Sequence, residues 1–173
     1  MKHSIVLWLC LVIANAGTAQ NNQALFIGPG FGFDHGGIGA KVEYQPVKYF
    51  GVFAGLGYNL ANVGLNGGIV YNILPDKRIT PVLTAMYGYN AIMKVKYLNG
   101  TDYGVYNGIT FGGGVDFKLG RNKKSKINVN LLIPLREAAF FRDYNHIREN
   151  GTIEQDIFPV AFSFGWNFAI FEK

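Results

Sequence analysis

The chain has 173 residues, 49% hydrophobic and 15% aromatic, with 23 glycines and a formal net charge of +5. That length fits one domain, and so much glycine without a three-residue period argues against both long helices and collagen. After the first twenty positions no apolar run approaches the ~20 residues of a membrane-spanning helix, and the modest basic excess forms no nucleic-acid patch.

Met1-Lys2-His3, the apolar run Ile5 to Ala14 and the segment Asn15-Ala16-Gly17-Thr18-Ala19 have the order of a secretory signal, with Gly17 and Ala19 at the recognition positions. Residues 1–19 are therefore expected to be removed, leaving 20–173 as a single domain. A retained anchor would need an apolar run about twice as long. Cys10, the only cysteine, leaves with the leader and does not sit where a lipoprotein's acylated cysteine would. Disulfides, thiol catalysis and thiolate metal sites are thus not expected. Without Lys2 the chain keeps 15 basic against 11 acidic residues, a charge of +4.

Strand signals begin at Ala24 to Phe33, with Leu25, Ile27, Phe31 and Phe33 on one face and Ala24, Phe26, Gly28, Gly30 and Gly32 on the other. A closed sheet offers proline no edge, so Pro29 predicts a bulge or kink. Asp34-His35-Gly36-Gly37 predicts a tight external turn. The second strand sets Ile38, Ala40, Val42 and Tyr44 outward against Gly39, Lys41, Glu43 and Gln45. The third sets Phe50, Val52, Ala54, Leu56 and Tyr58 against Gly51, Phe53, Gly55, Gly57 and Asn59. In the fourth, Leu65, Ile69, Tyr71 and Ile73 oppose Asn66, Gly68, Val70 and Asn72. The fifth, Ile79 to Asn90, turns Leu83, Ala85, Tyr87 and Tyr89 outward, and a loop over 91–103 follows. The sixth alternates Ile109, Phe111, Val115 and Phe117 with Thr110, Gly112, Gly114, Asp116 and Lys118, where Gly112-Gly113-Gly114 reads as close strand packing. A basic turn over 119–125 leads to the seventh strand, with Ile127, Val129, Leu131, Ile133 and Leu135 outward and Asn128 and Asn130 inward.

The last strand, Val160 to Phe171, is the most informative. Val160, Phe162, Phe164, Trp166, Phe168 and Ile170 make one wholly apolar face; Ala161, Ser163, Gly165, Asn167 and Ala169 make a small or weakly polar one. Neither face carries charge before Glu172, as suits a wall between lipid and a narrow lumen. Ser163, Gly165, Phe168 and Ile170 match the terminal pattern that marks the last strand of bacterial outer-membrane proteins. The whole chain resembles the small eight-stranded barrels of the OmpA transmembrane-domain, OmpX and opacity-protein type. That resemblance implies an all-β, closed, antiparallel eight-stranded transmembrane barrel, a monomer in outer-membrane lipid and lipopolysaccharide, with the last strand read by the barrel assembly machinery.

Eight strands of about ten residues match the ~9–11 needed to cross a bilayer at a tilt, and the connections alternate between compact basic turns and longer loops. Short turns belong to the periplasmic end in this architecture. The main rival is a soluble lipocalin-like barrel with the apolar faces inward, which alternation alone does not separate.

Lys41, Glu43, Asp116 and Lys118 are the charges expected inside the wall, paired in a network that fills the lumen; a narrow ion path is the alternative. His35 and His146 are expected in exposed external loops, and no serine follows His146 at the spacing of the lipid A deacylases, so enzymatic work on lipid is the lesser reading. No cofactor or metal motif is present. Asn99-Gly100 and Asn150-Gly151 read as hairpin turns. The second would pair Leu131 with Ile170 and Ile133 with Phe168, placing Arg142, Tyr144, His146 and Arg148 on one face as a surface-contact stripe.

Overall fold

The two-residue alternation of the sequence is satisfied by closure. The computed structural model describes residues 23–59, 62–97, 100–136, 140, 142 and 159–172, with only the backbone for 92–97 and 100–103. Its strands are β1 (Ala24–Gly32), β2 (Gly37–Val47), β3 (Phe50–Tyr58), β4 (Val63–Asn72), β5 (Ile79–Tyr97), β6 (Gly100–Leu119), β7 (Ser125–Leu135) and β8 (Ala161–Glu172). Each pairs antiparallel with the next, and β8 returns to β1, so no edge is left open. Carried once around the ring, the registers bring Ala24 back to the level of Asp34, a stagger of about ten residues that tilts the strands.

The apolar faces point outward all the way round. Leu56, Leu83, Ile109, Phe111, Leu131, Phe164 and Phe168 are exposed, and Val129 is outward but half-buried. Tyr44, Tyr49, Tyr71, Phe117, Trp166, Phe168 and Phe171 form an exposed aromatic band toward the short-turn end, as at a membrane interface. Among the described residues, the buried apolar cluster is only Phe53, Met86 and Leu132, with Phe33 and Ala161 packed against it. Apolar groups outside and polar groups inside reject the soluble ligand-binding barrel.

Several sequence expectations are corrected. Pro29 causes no register shift: Ile27 faces Phe168 and Gly30 faces Gly165 in one register, and the irregularity in that ladder lies between Leu25 and Phe26. Pro29 is outward, where its missing N–H opens no hole in the lumen. The loop expected over 91–103 is the extension of β5 and β6, paired from Ala91–Tyr106 to Tyr97–Gly100. Its β-branched and aromatic residues continue the hairpin roughly 20 Å past Ala91. A shift at Asn90 and a positive φ at Gly88 turn Tyr89 inward, where its ring meets Phe33 at 5.1 Å.

The β7–β8 register is also different. Leu131 faces Phe162 and Ser125 faces Phe168, so the pairing of Leu131 with Ile170 is overturned. The slip is by an even number of residues, which preserves both faces; the additional demand that β8 pair with β1 fixes the register. Arg142 has helical backbone, so the two-residue stripe does not begin as expected. Tyr144, His146, Arg148 and the Asn150-Gly151 turn lie outside the described residues, as does the leader over 1–19.

Candidate functional site: the barrel interior

The first surprise inside the barrel is the connection between β1 and β2. Gly32 pairs with Gly37, and the four residues between them fold into the lumen as a turn of 3₁₀ helix, Phe33–His35, closed by Gly36. Gly36 and Gly37 have φ of 71° and 113°, values that favour glycine, and Gly36 N–H donates to the Phe33 carbonyl at 2.9 Å. Asp34 and His35 are therefore buried, at 1% and 0% exposure, where an exposed external turn was expected.

The glycine-lined wall makes room for this turn. A Cβ at Gly55 would strike the Asp34 carbonyl, one at Gly57 the His35 carbonyl, and one at Gly64 the Gly36 carbonyl. At Gly30 and Gly165 it would strike the His35 ring. Gly112 and Gly114 are crowded by β7, as strand packing predicts, whereas a Cβ at Gly113 meets nothing closer than 3.7 Å.

Asp34 is the hub of an upper polar cluster. Its Oδ1 accepts from His35 Nδ1 at 2.8 Å and from the Ser163 hydroxyl; its Oδ2 accepts from Lys41 Nζ at 2.7 Å and Asn130 Nδ2 at 3.3 Å. The Asn66 amide donates to the Phe33 carbonyl and, at 3.0 Å, to the Tyr89 carbonyl, fastening the turn to β4 and β5. Ser163 reaches the carboxylate and not the imidazole. Serine, histidine and aspartate thus do not form the proton relay of a nucleophilic hydrolase.

A lower cluster is built on Lys126. Its Nζ lies 2.7 Å from both Glu43 Oε1 and Asp116 Oδ2 and 4.7 Å from the centre of the Phe26 ring. Gln45 Nε2 also donates to Glu43 Oε1, at 2.6 Å. The expected interior charges Lys41, Glu43 and Asp116 are thus all buried and paired. Lys118 is not in the network: it is half-buried at the short-turn end, and its Nζ donates to the Pro75 carbonyl. Lys126 is not among the interior charges that the sequence predicts, and Asp34 and His35 are predicted outside the lumen. Extending β7 by one residue at the parity of Asn128 and Asn130 would have found Lys126; the turn residues had no comparable signal except the glycines facing them.

The four residues of the terminal pattern divide by face. Phe168 and Ile170 point outward, whereas Ser163 holds Asp34 and Gly165 admits the His35 ring. At the opposite rim Phe140 is buried against Tyr106 at 5.1 Å, beneath the Arg136 guanidinium, and Arg142 is exposed.

A closed ring of eight antiparallel strands, apolar outside and filled with paired charges inside, is the architecture of the small outer-membrane β-barrels. The chain is similar to the crystal structure of the N-terminal β-barrel domain of Pseudomonas aeruginosa OprF, with a TM-score of 0.50 at 11% sequence identity, over 86% of this chain and 98% of that one. At that identity the likeness is one of fold. No family model and no curated protein sequence matches the chain.

Proposed function

We propose that the protein is an integral outer-membrane barrel that works as a filled, non-enzymatic scaffold, displaying its longer connections at the cell surface for envelope integrity, adhesion or surface contact. The observation that carries this reading is the Phe33–Gly36 turn, which occupies the lumen and is tied to β2, β4, β7 and β8 through Asp34 and Asn66. An eight-stranded barrel encloses a space that side chains can fill, and here a turn fills it as well. Lipopolysaccharide is the natural neighbour of the outer apolar wall. Phe168 and Ile170, displayed outward at the end of β8, are the residues available to the assembly machinery.

Conductance tests the scaffold reading against a porin-like channel. Purified protein in planar bilayers is expected to give no large, stable openings. Replacing Phe33–Gly36 with a two-residue Asn-Gly turn between Gly32 and Gly37 removes the upper part of the obstruction, above the Lys126 cluster, and is expected to raise the conductance over that of the unmodified protein. Porin-like openings from the unmodified protein would reverse the reading.

A further inference from the structure

The short-turn end carries a groove that the scaffold role does not use. It has a volume of about 620 Å³ and lies between the β6–β7 turn and the end of β8, with Arg121, Lys124, Leu119, Phe168 and Ala169 among its walls. Gly120 and Lys123 take positive φ, 75° and 53°, to form the turn, and Ala169 N–H donates to the Lys124 carbonyl at 2.7 Å, fixing the turn against β8.

Charge around this end is unevenly committed. Lys48 is paired with Asp76 at 3.0 Å, Lys123 Nζ donates to the Asp76 carbonyl at 2.8 Å, and Lys118 caps the Pro75 carbonyl. Lys77, Arg78, Arg121 and Lys124 are exposed, with no ion pair among the described residues, and the nearby acid at the end of β8 is the exposed Glu172. Arg121 and Lys124 differ from Lys77 and Arg78 in bordering a groove whose other wall, Phe168, belongs to the aromatic band. Trp166 lies directly beside that wall, its ring 5.0 Å from Phe168.

A cationic groove opening at the edge of an apolar surface fits a molecule that is anionic at one end and greasy at the other. We propose that it holds an anionic phospholipid of the periplasmic leaflet, with Arg121 and Lys124 on the phosphate and the first acyl carbons against Phe168. Arginine and lysine supply the charge-assisted donors a phosphate needs, and the aromatic band sets the groove at headgroup depth. This rests on the outer-membrane reading, and the experiment separates the two.

Trp8 and Trp166 are the only tryptophans, so in a Trp8→Phe chain the fluorescence reports from beside the groove. The chain is reconstituted at low salt in phosphatidylcholine vesicles containing either brominated phosphatidylglycerol or brominated phosphatidylcholine, and quenching of Trp166 gives the relative association of the two lipids. A surface cation is worth roughly five-fold in favour of the anion. The expected preference is therefore about five-fold or more, falling to near one in Arg121→Gln/Lys124→Gln and retained in Lys77→Gln/Arg78→Gln on the neighbouring β4–β5 turn, outside the groove. No preference in the parent chain, or an equal loss in both double variants, overturns the groove as a lipid site. No quenching by either lipid overturns the membrane assignment itself, because Trp166 would then not face acyl chains.

Discussion

Replacing Lys126 by methionine should be among the most damaging single substitutions in the barrel. Lys126 is 1% exposed and lies 2.7 Å from each of two buried carboxylates, Glu43 and Asp116. Methionine keeps the length of the chain and its contact with Phe26, so little of the effect comes from a cavity. What is lost is the counter-charge. Breaking a buried pair by removing one partner costs about 3–5 kcal/mol, and here two carboxylates are stranded, which places the expectation at the upper end. Against a total stability of ~5–15 kcal/mol, that is a large share of the folded state's margin. Neutralising all three groups, as Glu43→Gln/Asp116→Asn/Lys126→Met, removes the stranded charges and should recover most of the loss. Urea unfolding of vesicle-inserted protein, followed by Trp166 fluorescence and by mobility of unheated samples on gels, measures both. A Lys126→Met cost below about 1 kcal/mol, or a triple variant no more stable than the single one, would refute the idea that the interior is held by charge pairing.

Gly55→Val should destabilise the barrel by about 1–3 kcal/mol or expel the turn, because the new side chain meets the Asp34 carbonyl, whereas Gly113→Ala has open space and should be nearly silent; comparable losses in the two would count against the glycine-lined recess. Leu131→Arg, on an outward residue that is 57% exposed, should cost roughly 2–4 kcal/mol in a bilayer, and a neutral result in vesicles would mean that this face does not meet lipid. Removing Glu137 to Asp156 and rejoining the strands should leave a folded, heat-modifiable barrel without its surface phenotype; a phenotype that survives would place function in the wall or lumen. At the Lys48–Asp76 tie, the hydrogen bond from Lys48 holds the Asp76 carboxyl below its ordinary value. The tie is therefore complete above the ordinary carboxylate range and lost as pH falls through the lowered value, and an NMR titration showing an ordinary or raised midpoint would contradict it.

The sequence by itself determined which residues share a face of the wall. Alternation sets parity, parity survives any even slip in register, and so Leu56, Leu83, Phe111 and Leu131 fall on one face and Lys41, Glu43 and Asp116 on the other without knowledge of the neighbours, whereas the structure shows the apolar face to be the outer one. Strand number followed from the spacing of turn signals, and closure from the resemblance to the small outer-membrane barrels. Only the tertiary structure decided how β7 meets β8, because that register answers to the whole ring and not to one hairpin. It also decided the fate of Asp34 and His35: the same four residues between Gly32 and Gly37 make a good solvent turn locally, and go inward because Gly55, Gly57 and Gly64 across the lumen leave a recess and Lys41 and Ser163 supply partners. Lys126 shows the same division. Its inward parity is written in the chain, but its burial depends on carboxylates ten and eighty-three residues away that meet only when the barrel closes.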